Sequence, residues 1–351
     1  MIKLFDCSIS KESRVGIDQI FNEGNLTSGN FTSEVEAKLG QIYQSDCITF
    51  SDMTTALVQL MKSLEIQSGD VVLCHPYCCL STTMAIKLAG ANVEWIKFDH
   101  DNLCLDINSL RSKIMQAKIV LNYNVAGFLP DLQLLEELCQ ENSVILINDC
   151  NNSELSRQRG EFSVQYGDYS VMSFYPNRTF GAIDGAAILS NKFSLNGLKK
   201  YQRLGILAEE YRHANGLFNQ EHDVDIIAGS NNISNISAKL VLNKLDNFSE
   251  TMVEKLQTFH DILYYFKEIT LASPPLDEIV PWMIPVFAKN TVSFYEKTSR
   301  LGIETTELHL NNSKYSVFGK SSHSISPLGI IWLPFNKKII KYSEEIIRHA
   351  S

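Results

Sequence analysis

The sequence predicts an α/β protein: a mostly parallel seven-stranded sheet sandwiched by helices, followed by a smaller α+β unit. Three observations carry this. From about residue 47, seven short apolar runs rich in Val, Ile and aromatics recur along the chain. Helix-period segments separate several of them, and strand–helix alternation implies parallel strands with right-handed crossovers. Near residue 236 the pattern changes to a long amphipathic stretch, which a proline-rich segment then ends.

The strand candidates are CITF (47–50), DVVLCH (70–75), NVEWIKF (92–98), KIVLNYN (118–124), SVILIND (143–149), YSVMSFY (169–175) and AAILS (186–190). They are largely apolar rather than alternating, as strands covered on both faces should be. Helix candidates between them are TTALVQLMKSLE (54–65), STTMAIKLAG (81–90) and LQLLEELCQEN (132–142). The stretch 236–266 has apolar residues recurring at three and four, so it reads as amphipathic helix. ASPPLDEIVPWMIPVF (272–287) breaks it, and KYSEEIIRHA closes the chain as a helix. The expected division is a large α/β domain over 1–240, with the N-terminal segment, and a small α+β domain over 241–351.

The 351 residues suit one large domain with a smaller one attached, and 44% apolar content suits a folded core. A formal charge of −9 with no basic stripe argues against nucleic acid as partner. No apolar h-region opens the chain and no run of about 18 apolar residues exists. The expectation is therefore a cytoplasmic protein without a membrane span. Its eight cysteines read as reduced thiols, since no zinc-type spacing accompanies Cys74, Cys78 and Cys79.

In an open parallel sheet, ligands bind beyond the carboxyl ends of the strands. SDMTTAL (51–57) follows a strand and opens a helix, so Thr54 and Thr55 are either helix-start caps or phosphate ligands. Asp149 ends a buried strand and needs a partner, be it a cap, a cation or a protonated ring nitrogen. Ser173 ends another strand and is a second candidate phosphate ligand. GAIDG (181–185) then turns the chain, with Gly181 and Gly185 permitting tight geometry. No GxxxxGK or GxGxxG fingerprint is present.

Taken in order, these segments resemble the DegT/DnrJ/EryC1/StrS sugar aminotransferases, which are fold-type I pyridoxal phosphate enzymes. DMTTAL is similar to the family's phosphate-binding S-G-T-x-A-L, and NVAGFLPDLQLLEELCQENSVILINDC to its H-x-x-G-x-x-x-D…E-D-A segment. GSNNISNISA resembles G-Y-N-x-R-x-x-x-x-A, and LGIETTELHL and WLPF resemble the C-terminal motifs. The resemblance implies that Asp149 pairs with the pyridine nitrogen and that Thr54, Thr55 and Ser173 hold phosphate. It implies that Asn152 lies near the cofactor ring and that Asn231 reaches the partner subunit's phosphate in a homodimer. The implied substrate is a nucleotide-linked keto-sugar of surface-polysaccharide or antibiotic sugar synthesis.

The same resemblance exposes departures. In SFYPNRTFGAIDG (173–185), Arg178 falls where the family has its Schiff-base lysine. Asn124 falls at a His, Asn148 at a Glu, and Ile233 at the Arg of G-Y-N-x-R. Cys79 or Leu80 takes the place of the ring-stacking aromatic, with Tyr77 a substitute. A guanidinium stays charged and is a poor nucleophile and a poor base. Three readings follow. The chain binds pyridoxal 5'-phosphate or pyridoxamine 5'-phosphate non-covalently and moves protons by another residue. Alternatively, it is an inactive member binding a nucleotide sugar or an active paralogue. In the third, Arg178 clamps an anion in a remodelled pocket.

Overall fold

The computed structural model describes residues 1–5, 7, 9–27, 29–266, 278–319 and 329–350. Two helices open the chain, α1 (Lys11–Glu23) and α2 (Asn30–Tyr43). The main sheet is built from β1 (Asp46–Phe50), β2 (Val71–Cys74), β3 (Asn92–Trp95), β4 (Ile119–Tyr123), β5 (Ile145–Asp149), β6 (Tyr169–Ser173) and β7 (Ala186–Ser190). Their spatial order is β1-β7-β6-β5-β4-β2-β3. Only β7 runs antiparallel to its neighbours, β1 and β6; the other pairings are parallel. All seven predicted strands are present.

Every residue of β4 and β7 is buried, which is why IVLNY and AAILS show no polar alternation. One layer places α3 (Met53–Ser63) and α4 (Leu80–Leu88) on the sheet through Phe50, Leu57, Leu60, Val72 and Ile188. Burying each such side chain contributes roughly 1.5–3 kcal/mol. The opposite face is covered by α2 and by α6 (Asn235–Leu245), through Val35, Leu39, Tyr43, Val241 and Leu245. Helix α5 (Leu132–Glu141) closes the remaining side with Leu132, Leu135 and Leu138.

Two sequence-predicted elements differ in extent. NVEWIKF ends its sheet pairing at Trp95, because its neighbour β2 ends at Cys74; Phe98–Asp99 then pair with Cys104–Leu105 instead. The long stretch 236–266 divides between Leu245 and Phe248, giving α6 and α7 (Phe248–Phe266). Helix α6 thus crosses residue 240 while packing on the first two helices.

Beyond α7, β8 (Met283–Phe287) pairs antiparallel with β9 (Ile330–Pro334). With α8 (Thr291–Arg300) and α9 (Ser343–Ala350) they enclose a second core of Ile284, Phe294, Ile331, Leu333 and Ile346. A tight turn is one of the places where this unit is tied to the main sheet. Gly127 has φ +100°, and a Cβ there would lie 2.8 Å from the Asn152 carbonyl and 2.9 Å from that of Val280. The neighbouring carbonyl of Ala126 accepts from the Trp282 amide at 2.7 Å. No described helix is long and apolar enough to cross a membrane.

Candidate functional site

The carboxyl ends of β1, β2, β4, β5 and β6 share one edge of the sheet, because those strands run in the same direction. Asp149, Ser173 and the start of α3 with Thr54 and Thr55 are therefore brought to that edge. Asn152 and Arg178 follow two of the same strands.

Asp149 is fully buried. Its carboxylate accepts from the Thr82 hydroxyl at 2.8 Å and from the Asn151 amide at 3.1 Å. Burial raises its pKa to about 6, and those two bonds together with nearby Arg178 pull against that rise. Asn148, one residue earlier, faces the other way by strand alternation. It joins Asn122, Asn124 and Ser153 in a buried amide cluster: Asn124 Nδ2 donates to Asn148 Oδ1 and to Ser153 Oγ, both at 3.0 Å. Asn148 Nδ2 donates to the Ser163 carbonyl and Asn124 Oδ1 accepts from Asn122 Nδ2, both at 2.8 Å, so the two asparagines that break the family pattern are satisfied within the cluster.

Arg178 is held on two sides. One guanidinium nitrogen donates to Asn152 Oδ1 at 2.5 Å. The guanidinium carbon lies 4.3 Å from the Trp282 ring centroid, a cation–π contact. Phe5 stacks with Trp282 at 4.7 Å, and the indole N–H donates to the Asn177 carbonyl at 2.9 Å. Asn152 continues inward by donating to the Tyr123 hydroxyl at 2.8 Å, which meets His309 Nε2 at 2.9 Å. Burial, with Arg178 and His75 nearby, lowers the His309 pKa to about 3, so its imidazole is neutral.

The cup at the start of α3 is occupied by the chain itself. Asp52 is the N-cap: it accepts from the Thr55 amide at 2.9 Å, the Thr55 hydroxyl at 2.6 Å and the Ser51 hydroxyl at 2.9 Å. Thr55 is thus committed to a carboxylate, while Thr54 is half-buried in the first turn. Asp184 adds a second acid; burial raises its pKa, and repulsion from Asp52 raises it further. Ser173 Oγ accepts from the Tyr175 amide at 3.1 Å, which leaves its proton free to donate.

Asn231 lies beside the cup of its own chain. Its carbonyl accepts from the Ser51 amide at 2.7 Å, and its side chain donates to the Tyr201 carbonyl at 2.7 Å. Ile233, at the expected arginine, is core and packs where Gly185 has no side chain. Tyr77 is buried between Phe98 and His309, with its hydroxyl taking the Trp332 indole N–H. Sequence reasoning missed Trp282, Tyr123 and His309, since each sits in a segment whose pattern reads only as core or loop. Asp52 had a visible signal: DMTTAL puts Asp and Met where S-G-T-x-A-L has Ser and Gly. Among the described residues no His, Cys, Asp and Glu cluster has metal-site geometry, and all eight cysteines are free.

A seven-stranded, mostly parallel sheet with an aspartate, a serine and a helix start at one edge defines the fold-type I aminotransferase fold. Residues 8–312 match the DegT/DnrJ/EryC1/StrS aminotransferase family, and the chain belongs to it. It is 23% identical to a GDP-perosamine synthase of Vibrio cholerae over 260 residues, 73% of this chain and 68% of that one. A Helicobacter pylori aminotransferase of pseudaminic acid biosynthesis, PseC, superimposes with TM-score 0.84 at 17% identity, over 99% of each chain. A sugar aminotransferase of Streptococcus pneumoniae in its pyridoxamine phosphate (PMP) form gives TM-score 0.87 at 17% identity, over 100% of each.

The family depends on pyridoxal phosphate. Asp149 and the Ser173 hydroxyl suit that group. The other side chains oppose it. Asp52 places a carboxylate where the phosphate dianion would need donors, Asp184 adds to the repulsion, and Arg178 offers no amine. The residues present do not fit the phosphorylated cofactor in its family position.

Proposed function

We propose that this chain binds a nucleotide-linked keto-sugar and does not carry out transamination through a Schiff base. The family supports the substrate class, and the curated relatives are named as enzymes of nucleotide-linked sugars, such as GDP-perosamine synthase. The observation that carries the loss of chemistry is the state of Arg178. Its guanidinium is fixed by Asn152 and by Trp282, and a guanidinium is a poor nucleophile and a poor base. The residue that would attack a carbonyl and shuttle a proton is thereby replaced by a fixed cation. Such a cation is suited to hold an anion or a carbonyl oxygen.

The chain's own residues then act as a binding frame. Asn152 orients Arg178, and the Tyr123–His309 pair orients Asn152. The homodimer expected from the resemblance belongs to this reading, as does a cytoplasmic role in surface-polysaccharide or antibiotic sugar synthesis. The test is titration with pyridoxal phosphate and with a nucleotide-linked sugar, followed by borohydride and peptide mapping. The expected result is a thermal shift with the nucleotide sugar and no cofactor fixed to any lysine. Borohydride fixation of cofactor to the native chain, with amino transfer from glutamate to a keto-sugar, would overturn it.

A further inference from the structure

The face of Arg178 beyond its contact with Asn152 opens into a cleft of about 450 Å³. Its wall includes Lys3, Arg178, Lys244, Lys255 and Lys338, with Trp282 and Phe335 as apolar surface. No acidic side chain is among the described residues lining it, in a chain whose net charge is −9. Cations gathered in a concavity without lining acids repel one another, and a bound anion relieves that repulsion. The Nε of Arg178 is buried without a hydrogen-bond partner in the chain. Lys255 lies over the Phe335 ring at 5.2 Å; burial lowers its pKa, and the nearby acids Glu154 and Glu254 oppose that fall and favour its charged form.

The two ends of the site thus carry opposite charge. The cup at α3 carries Asp52 and Asp184, and the cleft outside Arg178 carries the cations. We propose that this cleft is an anion subsite for the diphosphate of a nucleotide-linked sugar, with Arg178, Lys255 and Lys338 as its charged ligands. The assignment rests on the nucleotide-sugar reading above. The cleft lies within the size range of small-molecule pockets, and apolar walls with a few converging charged groups are their usual make-up. Guanidinium and ammonium donors converging on phosphate oxygens form the stronger class of hydrogen bond.

The test is calorimetric titration of the full chain at low salt with inorganic pyrophosphate, GDP, guanosine and pyridoxal phosphate. Pyrophosphate and GDP are expected to bind, GDP the tighter, guanosine not at all, and both affinities to fall with added salt. Lys338→Glu, at an exposed position, should weaken both by about tenfold or more. Lys341→Glu makes the same change of net charge outside the cleft and should alter them by less than about twofold. GDP binding that survives both Lys338→Glu and Lys3→Glu overturns the subsite while leaving the nucleotide-sugar reading intact. Lys338-dependent pyrophosphate binding without added affinity from the nucleoside keeps the anion subsite and removes the nucleotide. Lys338-dependent binding of pyridoxal phosphate as tight as that of GDP overturns the nucleotide assignment.

Discussion

Asp52 separates a structural role from an electrostatic one, and substitution distinguishes them. Its side chain accepts three hydrogen bonds at the start of α3, two from Thr55 and one from Ser51. Asp52→Ala removes the cap, which costs about 1–2 kcal/mol; the exposed parts of the hydroxyl bonds are remade with water. Asp52→Ser keeps a capping oxygen and should lie within about 0.5 kcal/mol of the native chain. The charge acts separately. At an effective dielectric of about 20, unit charges about 4 Å apart repel by about 4 kcal/mol. Partial exposure and salt reduce this to roughly 1–3 kcal/mol, or about 10- to 100-fold in affinity for a phosphate placed at the helix start. Urea unfolding measures the first effect. Phosphate titration measures the second, in a Lys338→Glu background that weakens the competing cleft. Asp52→Ser should match the native stability and gain phosphate affinity, while Asp52→Ala should gain affinity and lose stability. Equal destabilisation of both variants, or no gain in either, would refute the assignment of Asp52 as the group that closes the cup.

The double variant Asp52→Ser/Arg178→Lys should fix pyridoxal phosphate under borohydride at residue 178, whereas Arg178→Lys alone should fix far less; mass spectrometry of the peptide reads both, and equal yields would count against the role of Asp52. Asp149 has a pKa raised to about 6 by burial, so its protonated form stabilises the fold fully below about pH 4 and that stability is lost as pH rises through 6. Relative to the native chain, Asp149→Asn should therefore gain up to about 3 kcal/mol between pH 4 and pH 7.5 in denaturant unfolding. A pH-independent difference would place the carboxylate in solvent. Gly127→Ala introduces a Cβ against the backbone of residues 152 and 280 at positive φ, and should cost about 2–4 kcal/mol by thermal unfolding. A neutral result would mean that the turn joining the two units relaxes freely.

Much of the fold was legible because its signals are local. The seven apolar runs, the helix periods between them and the ordered motifs from DMTTAL to WLPF are properties of short windows, and they sufficed for the succession of elements along the chain and for the family. Asp149 and Ser173 were legible for the same reason: a polar residue at the end of an apolar strand stands out. The extent of β3 was not, since it depends on where β2 ends. Nor was the meaning of Asn124 and Asn148, which only the register of β4 on β5 brings into one hydrogen-bonded cluster. Arg178 was visible as a departure, but its holding by Trp282, 104 positions away, follows from the turn at Gly127 that brings the segment around residue 280 back to the sheet. The gathering of Lys3, Lys255 and Lys338 beside it has no trace in the sequence, because charge adds up in space and these residues are scattered along the chain. Composition determined that the protein is acidic as a whole; tertiary packing decided that Asp52 and Asp184 meet at the cup while Lys3, Arg178, Lys244, Lys255 and Lys338 line the cleft.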